Sequence, residues 1–415
     1  MRRLRILMSA YACEPGKGSE EGVGWTWATE VSRFADVWVI TRSPNRESIE
    51  RALAARPKPN VHFVYTDVPG WPASWQRSGR NVRLHHYIWQ MWALVAARRL
   101  HRAHRFDLVQ HVTFGTLCSP SLICLLPAPF IWGPILAIDP VPRGLRTELG
   151  LRGRLFQWAR ETTHALRFRL DPFISLARSR SAMILCKTTE SLRYFRRACP
   201  DKQIVWMTAN GDPRIPDVHA RPRPTNGGLR VLAAGRLVAW KGFSLAVKAF
   251  ARFHERHPDS TFEIVGDGPQ LPRLKGIAAS CGVADAVTFH GRLPRGQTLE
   301  RLAASDVFLF TSMLDAAASA PMEAMAMGKP VVCLDHGGPG DLVTAECGIK
   351  VEPRDRGETV RQIAAALKLL ADSPELRARM GQAGKRRIAE HYGWDGRRRR
   401  IQDIYSRVVE GRAAA

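Results

Sequence analysis

The chain has 415 residues, of which 45% are hydrophobic and 24% charged, and its formal net charge is +24. That length exceeds what one ordinary core serves, so two domains are expected, and the composition excludes a disordered chain. The charge admits nucleic acid, anionic lipid and phosphorylated small molecules as partners; an Arg- and Ala-favouring coding bias accounts for part of it, but not for its local clusters.

No uninterrupted apolar stretch reaches bilayer length. The best candidate, 117–138, is broken by Pro120, Pro127, Pro129 and Pro134 and reads as strands and turns. The N-terminal MRRLRILMSA is basic and then apolar, but its apolar run is too short for a signal peptide and fits a first buried strand. The eight Cys residues show neither a CxxC pair nor a metal-ligand spacing, which fits reduced thiols of a cytoplasmic protein.

In chain order, residues 5–10 form the first strand. The loop 11–24 follows with Gly16, Gly18, Gly22 and Gly24, then a helix over 23–34 and a strand over 37–41. A Gly-rich loop entering a helix N-terminus is a general anion site, although any strand-to-helix turn uses Gly. Residues 44–55 read as a helix, 61–65 as a strand and 71–75 as a loop. The long helix 82–104 carries Tyr87, Trp89 and Trp92 near its apolar side and Arg98, Arg99, Arg102 and Arg105 toward its end. Those aromatics serve core or interdomain packing, or else a lipid-facing surface. The strand 107–111 ends in His111. A His at the carboxyl end of a parallel strand faces the ligand crevice, while a lone His also serves structure. A strand at 130–132 precedes the Arg-rich, mostly helical stretch 143–180, with Phe156, Trp158 and Phe168 interleaved. Strand 182–186, helix 188–198 and strand 204–207 complete this half. The polar, Pro- and Gly-rich stretch 221–228 reads as an interdomain linker.

The second half restarts with a strand at 229–234, a turn bracketed by Arg236 and Lys241, and a helix over 243–257. Two cations beside a helix N-terminus suit a diphosphate; the alternative is a solvated turn. A strand at 261–265 leads to Gly266-Asp267-Gly268-Pro269, and one at 287–289 to Gly291-Arg292-Leu293. Residues 306–343, DVFLFTSMLDAAASAPMEAMAMGKPVVCLDHGGPGDLV, then alternate strand (307–310), loop, helix (321–327), strand (331–334) and a Gly-rich loop opening another helix. Pro321 suits a first turn, Gly328 a stop, and Asp341 is expected in the first turn of the next helix. The strands should be parallel, with ligands at their carboxyl ends. Asp315 and Glu323, eight positions apart, offer carboxylates that can accept vicinal hydroxyls of ribose or a hexose. Gly337 and Gly338 let backbone N–H groups approach phosphate or sugar oxygens. Singly, these residues also suit helix-dipole and turn roles. A helix at 358–371 and a basic helix at 397–409 follow Tyr392-Gly393-Trp394 in the closing part.

Taken together, these residues resemble the signature of the family-4 glycosyltransferases: a carboxylate, seven residues, a Glu heading EAMAxGxPVV, then a GG loop. Asp315 stands where the family usually has Glu, and Ala316-Ala317-Ala318 where it has Gly-aromatic-Gly. Gly235-Arg236-Leu237 through Lys241-Gly242 is similar to its GRLxxxKG, Gly266–Pro269 to its GxGP loop, and Asn210-Gly211-Asp212 to the turn closing its N-terminal domain. AYACEPGKGSEEGVGW resembles the opening of a bacterial exopolysaccharide branch. In that branch a Gly-rich run with a Glu follows the strand at 130–132; here Ile135–Asp139 stands instead.

The resemblance implies an α/β fold of two doubly wound Rossmann-like domains facing a cleft, the GT-B arrangement. It implies an acceptor-side domain at 1–220, joined by the crossing helix 392–411, and a nucleotide-sugar domain at 221–391. The implied activity moves a hexose from a nucleotide sugar to a glycan or lipid-linked glycan with retention of configuration. Roles follow by resemblance. Arg236 and Lys241 take the diphosphate, Glu323 the ribose, and Asp315 and His111 the donor sugar. Gly266, Arg292, Leu293, Gly337 and Gly338 line the donor, with the base at Arg292 and Leu293. Gly18, Gly22 and Gly24 lie between diphosphate and acceptor. No metal and no cofactor are expected, since cations and helix N-termini stabilise the leaving group. A peripheral place on the inner face of the cytoplasmic membrane is expected from the Arg/aromatic stretches 83–105 and 143–180. A sugar-nucleotide epimerase and a noncatalytic protein of the same fold remain as alternatives, the latter admitted by Asp315 and 135–139. Nucleic acid is not an expected partner, because no recognised binding module accompanies the charge.

Overall fold

A computed structural model describes residues 2–71, 81–137, 139–211, 213, 215 and 228–413. The chain divides into two compact units: Met1–Ile138, Glu161–Ala209 and Trp394–Ala415 form one, and Asp139–Arg160 with Asn210–Gly393 the other.

In the first unit, strands β1 (Leu4–Ser9), β2 (Ala35–Thr41), β3 (Val61–Tyr65), β4 (Leu108–His111), β5 (Phe130–Ile135), β6 (Ser181–Cys186) and β7 (Gln203–Trp206) make a parallel sheet ordered β3-β2-β1-β4-β5-β6-β7. Both faces are covered, as parallel sheets require. Side chains alternate faces at a period of two, so Leu7 joins one apolar cluster while Ile6 and Met8 join the other. The crossovers include helices α1 (Ser19–Val31), α2 (Arg46–Ala55), α3 (Val82–His104), α4 (Gly150–Leu170), of which only the part from Glu161 belongs to this unit, α5 (Pro172–Arg180) and α6 (Thr189–Ala198). Asp171 caps α5 and Thr188 caps α6, each accepting first-turn N–H groups.

The second unit repeats the design. Strands β8 (Arg230–Ala234), β9 (Thr261–Val265), β10 (Val287–Gly291), β11 (Val307–Phe310), β12 (Val331–Leu334) and β13 (Gly348–Val351) are ordered β10-β9-β8-β11-β12-β13, all parallel. Its helices are α7 (Phe243–His254), α8 (Leu271–Ser280), α9 (Arg295–Ala304), α10 (Ser319–Ala326), α11 (Gly337–Leu342), α12 (Arg356–Asp372) and α13 (Pro374–Arg387). The final helix, α14 (Trp394–Ala413), belongs to the first unit. There Arg397 donates to the Thr208 carbonyl at 2.8 Å, and the Tyr405 hydroxyl bonds Gln110 on β4.

The doubly wound order expected from the alternation of strands and helices is present in both units. Residues 139–160, inside the expected first domain, pack with the second unit. Val141, Leu145 and Leu149 enter its core, and buried Glu148 accepts the Ser244 hydroxyl at 2.5 Å and pairs with Arg356. At Gly144 a Cβ would lie 1.9 Å from the Arg354 carbonyl oxygen, so this close approach needs glycine. Asp341 is not in a first turn: it is the fifth residue of the short helix α11, whose first turn is Gly337-Gly338-Pro339-Gly340. Of the expected loop 71–75, residues 72–75 lie outside the described residues, as do Asp212 and residues 221–227 of the expected linker. Among the described residues, no helix is long and apolar enough to cross a membrane. All eight cysteines are free thiols, seven of them buried.

Candidate functional site

In the second unit the strand order reverses between β8 and β11, which is where a doubly wound sheet opens a crevice at its strand ends. Four loops meet there. After β8, Gly235 turns the chain and Arg236 stands exposed, its guanidinium free of any hydrogen bond or ion pair among the described residues. A short 3-10 turn, Ala239–Lys241, ends at Gly242, whose φ of 67° begins α7. After β9, Gly266 folds back onto this loop so closely that a Cβ would meet the Gly235 oxygen at 1.8 Å. Leu237 N–H donates to the Asp267 carbonyl at 2.9 Å. After β11, Met313 N–H donates to the Trp240 carbonyl and the Thr311 hydroxyl to that of Gly242, both at 2.9 Å. After β12, Gly338 N–H donates to the Asp315 carbonyl at 2.8 Å, and Gly337 takes φ 60° beneath it.

These loops set the charges. Lys241 Nζ donates to Asp315 Oδ2, and the pair is largely shielded, at 23% and 12% side-chain exposure. The other oxygen, Oδ1, accepts N–H from Ala317 at 3.0 Å and Ala318 at 2.9 Å, closing the turn into α10. Asp315 therefore fixes both the lysine and the start of the helix that carries Glu323. Glu323 lies in the middle of α10, where Arg295 from the first turn of α9 grips its Oε1 at 2.8 and 3.0 Å. Arg295 is 55% exposed, so this contact contributes little to stability. Asn210 donates to the Ser319 hydroxyl at 2.7 Å and to the Ala317 carbonyl at 3.2 Å, on the same turn.

Arg236, Lys241, Asp315, Gly266, Gly337 and Gly338 are thus brought together, with Glu323 one helix turn farther on. Arg292 and Leu293 follow β10, the edge strand, with β9 between it and β8. Arg292 is exposed and Leu293 half-buried. Arg295, which sequence reasoning missed, carries no motif that marks it.

In the first unit the reversal falls between β1 and β4, where Ser9 pairs in register with His111. His111 is fully buried, and neither ring nitrogen has a hydrogen-bond partner among the described residues. Burial pushes its pKa down to about 4, against the pull of the Glu20 carboxylate, so the ring is neutral near pH 7. Glu20, in the first turn of α1, bonds Lys187 Nζ at 2.8 Å and Phe114 N–H at 2.9 Å. Burial raises the Glu20 pKa, but Lys187 and the Phe114 N–H outweigh it and hold the carboxyl below its ordinary value. Phe114, at φ 55°, stacks on His86 with centroids 4.9 Å apart, and Tyr11 and Trp89 complete an aromatic wall. Gly24 and Gly22 are required by contact: a Cβ would lie 2.1 Å from the Ala12 and Lys17 oxygens respectively. Gly18 precedes α1 with open space about it. Glu20 and Lys187 were not singled out from the sequence, where 167 positions separate them.

The family described as "Glycosyl transferases group 1" matches residues 216–387, inside the second unit. Glycogen synthase of Mycobacterium tuberculosis is 28% identical over 220 residues, 53% of this chain and 52% of that protein. A "GDP-mannose-dependent alpha-(1-6)-phosphatidylinositol monomannoside mannosyltransferase" of Mycolicibacterium smegmatis is 31% identical over 210 residues, 48% of this chain and 54% of that protein. The chain spans about half the length of the curated relatives it matches. Among solved structures, sucrose-phosphate synthase from Thermosynechococcus elongatus superposes with a TM-score of 0.66 at 16% identity, over 99% of this chain and 100% of that one. The fold is accordingly the two-domain GT-B glycosyltransferase fold.

Proposed function

We propose that the chain is a retaining glycosyltransferase of the family-4 type. It moves a hexose from a nucleotide-sugar donor to a glycan or lipid-linked glycan. The observation that carries this reading is the cluster of Arg236, Lys241 and Asp315 on interlocked glycine loops at the second switch point, inside the segment matched by the glycosyltransferase family. A nucleoside diphosphate brings two anionic phosphates, a diol and a base. Arg236 is free to meet the phosphates, and Lys241 transfers part of its pairing from Asp315 to them. Glu323 gives up Arg295 for the ribose hydroxyls. Asp315 and the Gly337-Gly338 turn face the hexose, and Arg292 and Leu293 take the base side. With these cations stabilising the leaving diphosphate, turnover needs no metal ion and persists in a chelator.

Roles for the first unit complete the reading. His111, neutral and without a hydrogen-bond partner among the described residues, assists the donor hexose, and the loop of Gly18, Gly22 and Gly24 serves the acceptor side. The departing phosphate helps deprotonate the acceptor hydroxyl, so the new bond forms on the face the leaving group vacates. The lipid-linked substrate of the mycolicibacterial relative and the basic, aromatic helices of this chain favour a peripheral place on the cytoplasmic face of the membrane. Assembly of surface or extracellular polysaccharide is the process that suits it.

Calorimetry against a panel of nucleotide sugars tests the donor assignment. At least one should bind, the matching nucleoside diphosphate should compete, and its release with acceptor should yield a product of unchanged anomeric configuration by NMR. Failure of every nucleotide sugar to bind would sink the proposal; an inverted product would remove only the retaining mechanism.

A further inference from the structure

We propose that the outward face of the first half of α4, residues 150–160, is a docking surface for an anionic lipid bilayer. This rests on the peripheral-membrane reading above and assigns it to specific side chains. Leu151, Leu155, Phe156 and Trp158 lie within eight positions of one another and are 81%, 66%, 63% and 61% exposed. Leu151, Leu155 and Trp158 follow the spacing of a single helix face, and Phe156 flanks it. Gln157 is buried, so the polar residue is turned inward while the large apolar ones meet water. Single exposed apolar side chains are ordinary on protein surfaces, but four large ones on two turns mark a surface that something covers.

Charge identifies the occupant. Arg152 and Arg154 are exposed on the same two turns, and neither is held in an ion pair among the described residues. GLRGRLFQWAR contains no carboxylate. An apolar face of Leu, Phe and Trp bordered by the exposed Arg152 and Arg154 matches a headgroup boundary, where rings enter the acyl edge and guanidinium groups meet lipid phosphates.

The test is co-sedimentation of the full chain with vesicles of phosphatidylcholine, with or without phosphatidylglycerol, over a range of salt. The wild type should pellet with the phosphatidylglycerol vesicles at low salt and be released as salt rises. The pair Leu155→Ser with Trp158→Ser should lower partitioning roughly tenfold or more. Arg152→Gln and Arg154→Gln should each lower it by about fivefold. Leu151→Glu supplies an independent change on the same face. All these side chains are exposed, so the melting temperature and nucleoside-diphosphate affinity should not change. If the wild type binds and every α4 variant binds equally, the α4 assignment is overturned while the membrane reading stands. If the wild type stays in the supernatant at low salt, both fall, and the glycosyltransferase assignment is judged separately by donor binding. If the wild type self-associates and Trp158→Ser abolishes that association without changing vesicle binding, the face belongs to a second copy and the proposal is overturned.

Discussion

At the carboxyl ends of β1 and β4, a buried neutral His111 sits against a wall of aromatic rings, and the Glu20–Lys187 pair secures the backbone of Phe114. At the carboxyl ends of β8 and β11, the surroundings are glycine loops carrying an exposed Arg236, a Lys241–Asp315 pair and a solvent-accessible Arg295–Glu323 pair. Both sheets run their central strands in the same order. The difference lies in what is already satisfied. The first crevice uses the Glu20–Lys187 pair to hold the Phe114 backbone, and leaves one histidine without a hydrogen-bond partner among the described residues. The second holds its charges in partly exposed pairs, over glycine loops packed too closely to admit a Cβ at Gly266. One strand order therefore carries a buried, aromatic-walled histidine in one unit and exposed charged glycine loops in the other.

The backbone half of that contrast is broken most severely by Gly266→Ala. The added carbon collides with the Gly235 oxygen, and φ is 141°; a loss of about 3 kcal/mol or more is expected in denaturant unfolding. An unaltered midpoint would show that the interlock of loops is loose.

Acid sharpens the histidine half. His111 has a folded pKa of about 4, below the ordinary value of about 6.5. Its contribution is thus present above pH 6.5 and is lost as pH falls through the window down to about 4, amounting to roughly 3 kcal/mol. His111→Gln should flatten the stability profile over that window. It should also lower turnover per folded molecule if His111 serves the donor hexose; retained turnover would make it structural.

Charge removal in the cradle comes next in size. Arg236→Ala and Lys241→Ala should each weaken nucleoside-diphosphate binding by roughly 1.5–3 kcal/mol. In the second case Asp315 also loses its counter-ion, so Lys241→Ala with Asp315→Asn should be less stable-sensitive than Lys241→Ala alone. Unchanged affinity in both single variants would remove the phosphate assignment.

The two carboxylates divide the donor more finely. Glu323→Gln should weaken free nucleoside diphosphate by about 1–2 kcal/mol, whereas Asp315→Asn, which also releases Lys241, should weaken the intact nucleotide sugar more than the free diphosphate. Equal losses for both ligands in both variants would contradict this division. The smallest effect belongs to Gly18→Ala, where a Cβ meets open space; stability should stay within about 0.5 kcal/mol. A large loss of acceptor-dependent turnover with that stability retained would place Gly18 at the acceptor.

Buried strands were the most legible feature of the sequence. Val307–Phe310 and Val331–Leu334, fully buried, have the boundaries their apolar runs imply, and so do the less buried Val61–Tyr65 and Thr261–Val265, because turn residues bound each apolar run. Helix starts were less so. The helix expected at 23–34 begins at Ser19, since Glu20 and Glu21 occupy a polar first turn that hydrophobic periodicity does not register. The short strand Gly348–Val351 and the polar helix Pro374–Arg387 carry weak patterns and emerge only in three dimensions. The site motifs fixed where to look, because glycine loops at strand ends have a sequence form. The ion pairs that tune them do not: Arg295 and Glu323 stand 28 positions apart, and folding alone makes them neighbours. The placement of 139–160 was likewise hidden, since it depends on a buried carboxylate meeting Ser244 and Arg356.

Helix α14 has a consequence for how the chain comes to be folded. Tyr405 is the partner of both Trp27 and Gln110, and Arg398 pairs with Glu30 at 3.0 Å. The first sheet is thus finished by residues that are made only after the whole second unit. During synthesis the opening strands and α1 wait, with that apolar surface uncovered, while the whole second unit is made. Domains otherwise fold in the order they emerge. Here the second unit has all of its residues by position 393 and can close first, so the nascent first unit is the part of the molecule that most needs protection from aggregation.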